Sequence, residues 1–211
     1  MEGGLLVDKT VFSSDEMERI IHFAARIMRL TKDVRPHIQH ELDKIFGYEE
    51  TIFWYADDRG NLKDPVTYRL HDRVLYDYLE QYHRYDFLHP KKNVALFQEK
   101  KALRLVDLVS MEQYEKSTYY RSFMKRHGYY DEMVVGLFYE GSLIGAIGTA
   151  YKKDRNVFTL TDCKRFQYLS EIIASVLANQ VNHDDLLSER EKEVVKLVKL
   201  GRSNRAIAKE L

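Results

Sequence analysis

Hydrophobic positions along the chain alternate between two periods, 3.6 and 2, and the changes of period mark its elements. Behind Ser13 and Glu16, which have the spacing of a capping box, Met17, Ile20, Ile21, Ala24, Ile27 and Met28 recur as one helical stripe. Arg35-Pro36 interrupts or restarts that helix, and Ile38, Leu42, Ile45 and Phe46 give a second stretch that ends at Gly47. Thr51 to Tyr55 is β-branched and aromatic and leads into Asp57-Asp58-Arg59-Gly60-Asn61, which is turn chemistry. A strand is expected there, with Pro65 to Leu70 as its candidate partner. Val74, Leu75, Tyr78, Leu79 and Tyr82 return to helical spacing. Leu103 to Val109 reads as a short strand, and Ser110 with Gln113 opens a helix expected to run to His127 and stop at Gly128.

The strongest sheet signal follows. Two apolar runs, Met133 to Tyr139 and Leu143 to Tyr151, flank the hairpin turn Glu140-Gly141-Ser142. Thr159 with Asp162 then caps a long helix whose apolar side is Phe166, Leu169, Ile172, Ile173, Val176 and Leu177, up to about Asn182. Leu169, Ile172, Ile173 and Val176 suit either a dimer seam or packing across the protein's own sheet. The order of helices, strands, helices, hairpin and long helix predicts an α+β domain with a mainly antiparallel sheet flanked by helices.

Composition divides the chain rather than classifying it. The 211 residues carry 33 Lys and Arg against 33 Asp and Glu. From Leu186 onward there are seven basic and four acidic residues, so the first 185 residues are acidic by the same margin. The neutral total is a cancellation. The polar patch Asn182-His183-Asp184-Asp185 is taken as the boundary: a domain over residues 1–182, a linker over 183–186 and a separate unit over 187–211. The single cysteine, Cys163, excludes a disulfide framework and a zinc ribbon and suits a reducing compartment. No apolar run has the length of a membrane span, and Met1 to Leu5 lacks the basic flank of a signal peptide. A cytoplasmic protein with no membrane partner is expected.

In the C-terminal unit, Ser188 with Glu191 has capping-box spacing, Val194, Val195, Leu197 and Val198 supply an apolar face, and Gly201 ends the helix. Ser203 caps a second helix carrying Ile207, Ala208 and Leu211. The run Leu187-Ser188-Glu189-Arg190-Glu191-Lys192-Glu193-Val194-Val195, with Gly201-Arg202-Ser203-Asn204-Arg205-Ala206-Ile207-Ala208 to Leu211, resembles the opening of the LuxR-type helix-turn-helix domain. That resemblance implies a four-helix DNA-binding head of which residues 187–211 supply the first two helices. The recognition helix is not among them, so specific operator binding is expected only of a longer protein. A helix N-terminus presents unpaired N–H groups with partial positive charge, which makes Arg202, Ser203, Asn204 and Arg205 the candidate phosphate contacts.

Regulators with this head carry several kinds of input domain. Early helices and a late hairpin do not fit a phosphoacceptor receiver. One tryptophan, Trp54, argues against the acyl-homoserine-lactone pocket, which relies on several Trp, Tyr and Asp residues. The stretch from Leu103 to Leu177 resembles a GAF-like sensor, carried by Leu108-Val109-Ser110, Tyr119-Tyr120-Arg121, His127-Gly128, Asp131-Glu132, the hairpin, and Phe158 to Asp162. The signature of cyclic-nucleotide-binding GAF domains is not visible. The resemblance implies a small molecule held between one sheet face and the elements crossing it. Trp54, Tyr68, Tyr85, Phe87, Tyr120, Phe123 and Tyr130 are the candidate lining residues, since aromatics with polar tips suit a selective pocket as well as a plain core.

Other chemistry is sparse. His37 and His40 share a helical face with no third ligand, so surface histidines are the expectation and no metal or cofactor is assigned. Cys163, in the first turn of the long helix, reads as an inert thiol, and His127 as a complement to a helix C-terminus. Together these readings describe a non-enzymatic transcription regulator, homodimeric, sensing an unknown small-molecule effector and binding DNA. The alternatives are a GAF-like dimerisation or partner-binding module without a ligand, and a GAF-like sulfoxide reductase, which the lone cysteine disfavours.

Overall fold

Ser13 caps the first helix, α1 (Ser14–Ile27), its Oγ accepting the Glu16 N–H at 3.2 Å. This is seen in a computed structural model describing residues 12–32, 34–153, 157–185, 193, 194, 197, 198, 201–203, 206 and 207. The reciprocal half of the capping box is missing, because the Glu16 carboxylate turns to Arg19 and Arg165. The expected stripe is also rotated. Phe23 takes the central inward place and sets the buried line as Ile20, Phe23 and Ile27, leaving Ile21 and Met28 61% and 69% exposed. The second helix, α2 (Val34–Phe46), has Pro36 in its first turn, where a missing N–H costs no intrahelical bond. It ends at Gly47, whose φ of +80° disfavours any side chain.

β1 (Thr51–Ala56) and β2 (Leu62–Tyr68) pair antiparallel. The turn between them is tied by the Asp57 carboxylate, which accepts the N–H groups of Arg59 and Asn61 at 2.9 and 2.8 Å. α3 (Asp72–Glu80) and α4 (Val94–Lys100) follow, then β3 (Ala102–Arg104). β3 is shorter than the seven-residue run predicted. Asp107 accepts the backbone N–H of Arg104 at 2.9 Å and ion-pairs its guanidinium, folding Leu105–Asp107 into a 3₁₀ turn.

The helix predicted from Ser110 to His127 is likewise divided. α5 (Met111–Lys116) begins under the Ser110 cap. It stops at Ser117, whose hydroxyl donates to the Tyr114 carbonyl and accepts the Tyr120 N–H, competing with the helix ladder. A π-helical stretch, Tyr119–Met124, and a 3₁₀ turn complete the segment to Gly128, at φ +83°.

β4 (Tyr129–Tyr139) and β5 (Ser142–Lys152) form the expected hairpin. Only Glu140 and Gly141 make the turn, both at positive φ as a type I′ turn requires. The sheet is antiparallel throughout, in the order β2-β1-β5-β4-β3. At Gly145 an added Cβ would lie 2.6 Å from the Trp54 carbonyl oxygen, so β1 and β5 approach closely only because that residue is glycine. The α+β class predicted from the chain is the class found.

α6 (Leu160–Asp185) begins with a complete reciprocal cap: Thr159 Oγ1 accepts the Asp162 N–H, and Asp162 accepts the Thr159 N–H. The helix runs through to Asp185, so the stretch read as a linker from the polarity of 182–185 is helical at least to that residue. Leu169, Ile173 and Leu177 are fully buried in the core beneath the sheet. These three residues pack across the protein's own sheet.

Period-2 alternation sends successive β4 residues to opposite faces. Met133, Val135 and Leu137 join α1, α2 and α6 in one core, while Val134 and, across a register shift between Tyr129 and Asp131, Tyr129 join α3, α4, α5 and the π-helical stretch in the other. The first core is crossed by a buried ionic group in which Arg165 meets Glu16, the Tyr48 hydroxyl and Asp162, the last at 2.7 Å. Among the described residues no helix is long and apolar enough to cross a membrane.

Candidate functional site

The second face of the sheet is not filled. Between it and α3, the loop at Asp86 to Pro90 and the π-helical stretch lies a cavity of about 80 Å³. At about 10–15 Å³ per water site, that holds several waters or one small molecule. Three devices create the space. β5 presents small residues, Ala146, Gly148 and Ala150, toward it. The Asp86 carboxylate accepts the Leu88 N–H at 2.7 Å, an Asx turn that bends the loop over the opening. The π-helical stretch brings Tyr119 and Phe123 to the same wall.

The walls are mostly apolar and aromatic. Trp54 from β1 faces Tyr78 from α3 at 6.1 Å between ring centroids, and Tyr78 faces Phe123 at 6.0 Å. Tyr82 stacks behind Phe123 at 5.1 Å. Two hydroxyls carry the polar contacts. Tyr78 donates to Asp86 Oδ2 at 2.8 Å and Tyr119 donates to Glu132 Oε2 at 3.1 Å. Burial raises Asp86 above the ordinary carboxylate range, against the hydrogen bonds it accepts. Burial and the neighbouring Asp86 push Glu132 further up, against its one bond from Tyr119.

Of the seven aromatic candidates, Trp54 and Phe123 line this cavity. Tyr68 lies against α2, donating to Asp43 at 3.1 Å. Tyr85 is 42% exposed. Phe87, Tyr120 and Tyr130 belong to a neighbouring cluster around Tyr114, with Tyr114 and Tyr120 at 4.9 Å. Tyr130 donates to Glu115 at 2.8 Å, and that bond pushes its phenol up to about 12. These five were chosen by residue type, which does not distinguish a cavity wall from a ring-on-ring core.

Sequence reasoning passed over Tyr78, Asp86, Tyr119 and Glu132. One signal was available for Glu132: it shares the parity of Val134 along β4 and so is a carboxyl in an inward position. His127, expected to complement a helix end, lies in the last turn of the 3₁₀ helix before Gly128 and puts Nε2 3.1 Å from Asp77 Oδ2. Burial would raise Asp77, but Arg73 and His127 hold it below the ordinary range, and the pair clamps α3 to the end of the π-helical segment. Cys163 is buried, and burial pushes its thiol up to about 11. His37 and His40 are exposed, and no group of three His, Cys, Asp or Glu side chains is placed to hold a metal among the described residues.

In the C-terminal unit Gly201 adopts φ +73°, its N–H bonding Val198 O at 2.9 Å while Arg202 N–H bonds Leu197 O at 3.1 Å, a Schellman stop. Ser203 Oγ accepts the Ala206 N–H at 3.3 Å and restarts the helix. Arg202 and Ser203 are exposed. Asn204 and Arg205 lie outside the described residues, as do Ser188, Glu191, Val195, Ala208 and Leu211.

The fold is GAF-like. A phycocyanobilin-bound GAF domain from a cyanobacterial phytochrome superposes with a TM-score of 0.51 at 12% identity, over 80% of this chain and 97% of that one. The LBD domain of VqsR from Pseudomonas aeruginosa gives 0.51 at 14% identity, over 81% and 98%. Escherichia coli SdiA gives 0.55 at 15% identity, over 91% of this chain and 82% of that one. No protein-family model and no curated protein matches the sequence, so neither the LuxR-type head nor the GAF-like sensor has support from a sequence family.

Proposed function

We propose that this chain is a transcription regulator in which the GAF-like domain binds a small molecule and controls a LuxR-type helix-turn-helix head beginning near residue 187. The observation that carries the reading is the cavity: largely apolar, walled by Trp54, Tyr78 and Phe123, with a few convergent polar groups, the usual character of a small-molecule site. One structural neighbour is bound to phycocyanobilin. The likeness to SdiA spans more of this chain than residues 1–182 contain, so it reaches the C-terminal unit. The Schellman stop at Gly201 and the cap at Ser203 supply the helix boundary a helix-turn-helix head requires.

The proposed protein acts by binding rather than by turnover, in the cytoplasm, as a homodimer matching paired half-sites. A ligand shifts it between sensor states only through its differential affinity for them. The test has two arms. Purified protein is screened against a metabolite panel by thermal shift and by Trp54 fluorescence, and a saturable ligand is expected. The reading frame past Leu211 is expected to continue into a short turn and a helix rich in Ser, Thr, Val, Lys and His. That longer protein should bind a DNA site with an affinity the ligand changes. A panel without a ligand overturns the sensor, and a frame without that helix overturns the head.

A further inference from the structure

The charges around the cavity are unbalanced. Glu50, Asp86 and Glu132 line it, and among the described residues no Lys, Arg or His does. Two of the three carboxyls are accounted for by the protein. Glu50 pairs with Lys152 at 3.1 Å, and Asp86 has both oxygens occupied, by the Leu88 N–H and the Tyr78 hydroxyl. Lys92, whose charge acts on Asp86, spends the hydrogen bonds of its Nζ on the carbonyls of Arg84 and Asp86 at 2.7 and 3.0 Å. His89, beside Pro90 of the wall, stays neutral, burial and the charges of Lys92, His83 and Lys91 pressing it down to about 4.

Glu132 differs from both. It accepts one hydrogen bond, on Oε2, and its Oε1 has no protein donor among the described residues. It stands on β4 opposite Ala150 on β5 and lines the cavity. A carboxyl lining a largely apolar cavity without a cationic partner keeps its proton rather than its charge, and a cationic ligand is the partner that would let it ionise. Trp54, Tyr78 and Phe123 line the same cavity, and an aromatic ring attracts a cation placed over its face.

We infer that the ligand is a small organic cation, an ammonium or amidinium group on an apolar body, with Glu132 as its counter-charge and the aromatic wall around it. This deepens the sensor reading and rests on it. The cavity volume keeps the body small, of the size of a short branched alkyl chain or a single ring.

The test uses the 211-residue protein and two matched pairs of probes: isopentylamine with isopentyl alcohol, and 2-phenylethylamine with 2-phenylethanol. Binding is followed by thermal shift and by the fluorescence of Trp54, the only tryptophan. The amines are expected to bind saturably and at least about tenfold more tightly than their alcohols, a gap of about 1.4 kcal/mol. Glu132→Gln keeps the shape and removes the charge, and should erase the preference. Ala150→Leu fills the space beside Glu132 and should abolish binding of both series, which keeps the test decisive if Glu132→Gln folds poorly. The inference is overturned if the alcohols match the amines, if Glu132→Gln retains the preference, or if neither amine binds by millimolar concentration. Alcohols binding without amines would sink the cation and leave the sensor standing. Failure of all four probes together with an empty metabolite screen would sink both.

Discussion

The two faces of the sheet are built from the same strands by opposite rules. Beneath it, α1, α2 and α6 close over Phe53, Ile147 and Leu137 with no residual exposure, and Arg165 enters that core paired with Glu16 and Asp162. Above it, β5 turns alanine and glycine upward, the covering segments are short, and a carboxyl is left half-partnered. One face is optimised for burial. The other gives up burial for a space, and the carboxyl in it is a feature that a purely structural core would have no reason to keep.

Adjacent residues of β1 allow the sharpest break of that contrast, because Phe53 points down and Trp54 up. Phe53→Ala should cost about 3–5 kcal/mol in urea denaturation, the range for a large buried aromatic. Trp54→Ala should cost less, since its ring already borders empty space, while removing the ligand response. Equal losses would mean that the two faces are packed alike.

The second break is in pH. Glu132 and Asp86 have folded pKa values raised above their unfolded ones. Between the two values the folded chain keeps a proton that the unfolded chain has lost, so stability falls as pH rises through that window. Each unit of elevation removes about 1.4 kcal/mol above both values. Glu132→Gln should flatten its share of this slope in denaturation measured from pH 4 upward. An unchanged slope would show that Glu132 titrates normally and that its site is wet.

Smaller effects refine the picture. Ala150→Leu fills the cavity and should stabilise by about 0.5–2 kcal/mol, the usual gain from cavity filling, whereas a loss would show the space too narrow for the side chain. Thr149→Val, on β5, removes a buried hydroxyl that has no hydrogen-bond partner among the described residues and should gain about 1 kcal/mol in the same assay. A loss there would place a bridging water on Thr149.

What the chain showed in advance follows the same divide. Local chemistry was readable: the Ser13, Ser110 and Thr159 caps, the stops at Gly47, Gly128 and Gly201, and the Glu140-Gly141 turn each depend on a few consecutive residues. So was the fold class, which rests on order and period. The closed face was readable in kind but not in phase, because the choice between Ile21 and Phe23 on α1 depends on what the second helix presents. The cavity was hardly readable at all. Tyr119 and Glu132 meet across the junction of a π-helical stretch and a strand, and Asp86 gains its role from Tyr78 in the helix before it. An unfilled volume has no residue of its own to announce it.

α6 spans 26 residues without a break, about 39 Å at 1.5 Å per residue, and its stretch from Cys163 to Leu177 is embedded beneath the sheet. Such a helix transmits angle as well as distance. Each residue added beyond the embedded part turns whatever follows by about 100°, while seven added residues restore its bearing to within about 20°. In the regulator proposed here, the orientation of the head would therefore be a matter of helical phase, and a single inserted alanine near Asp185 should disturb output more than seven.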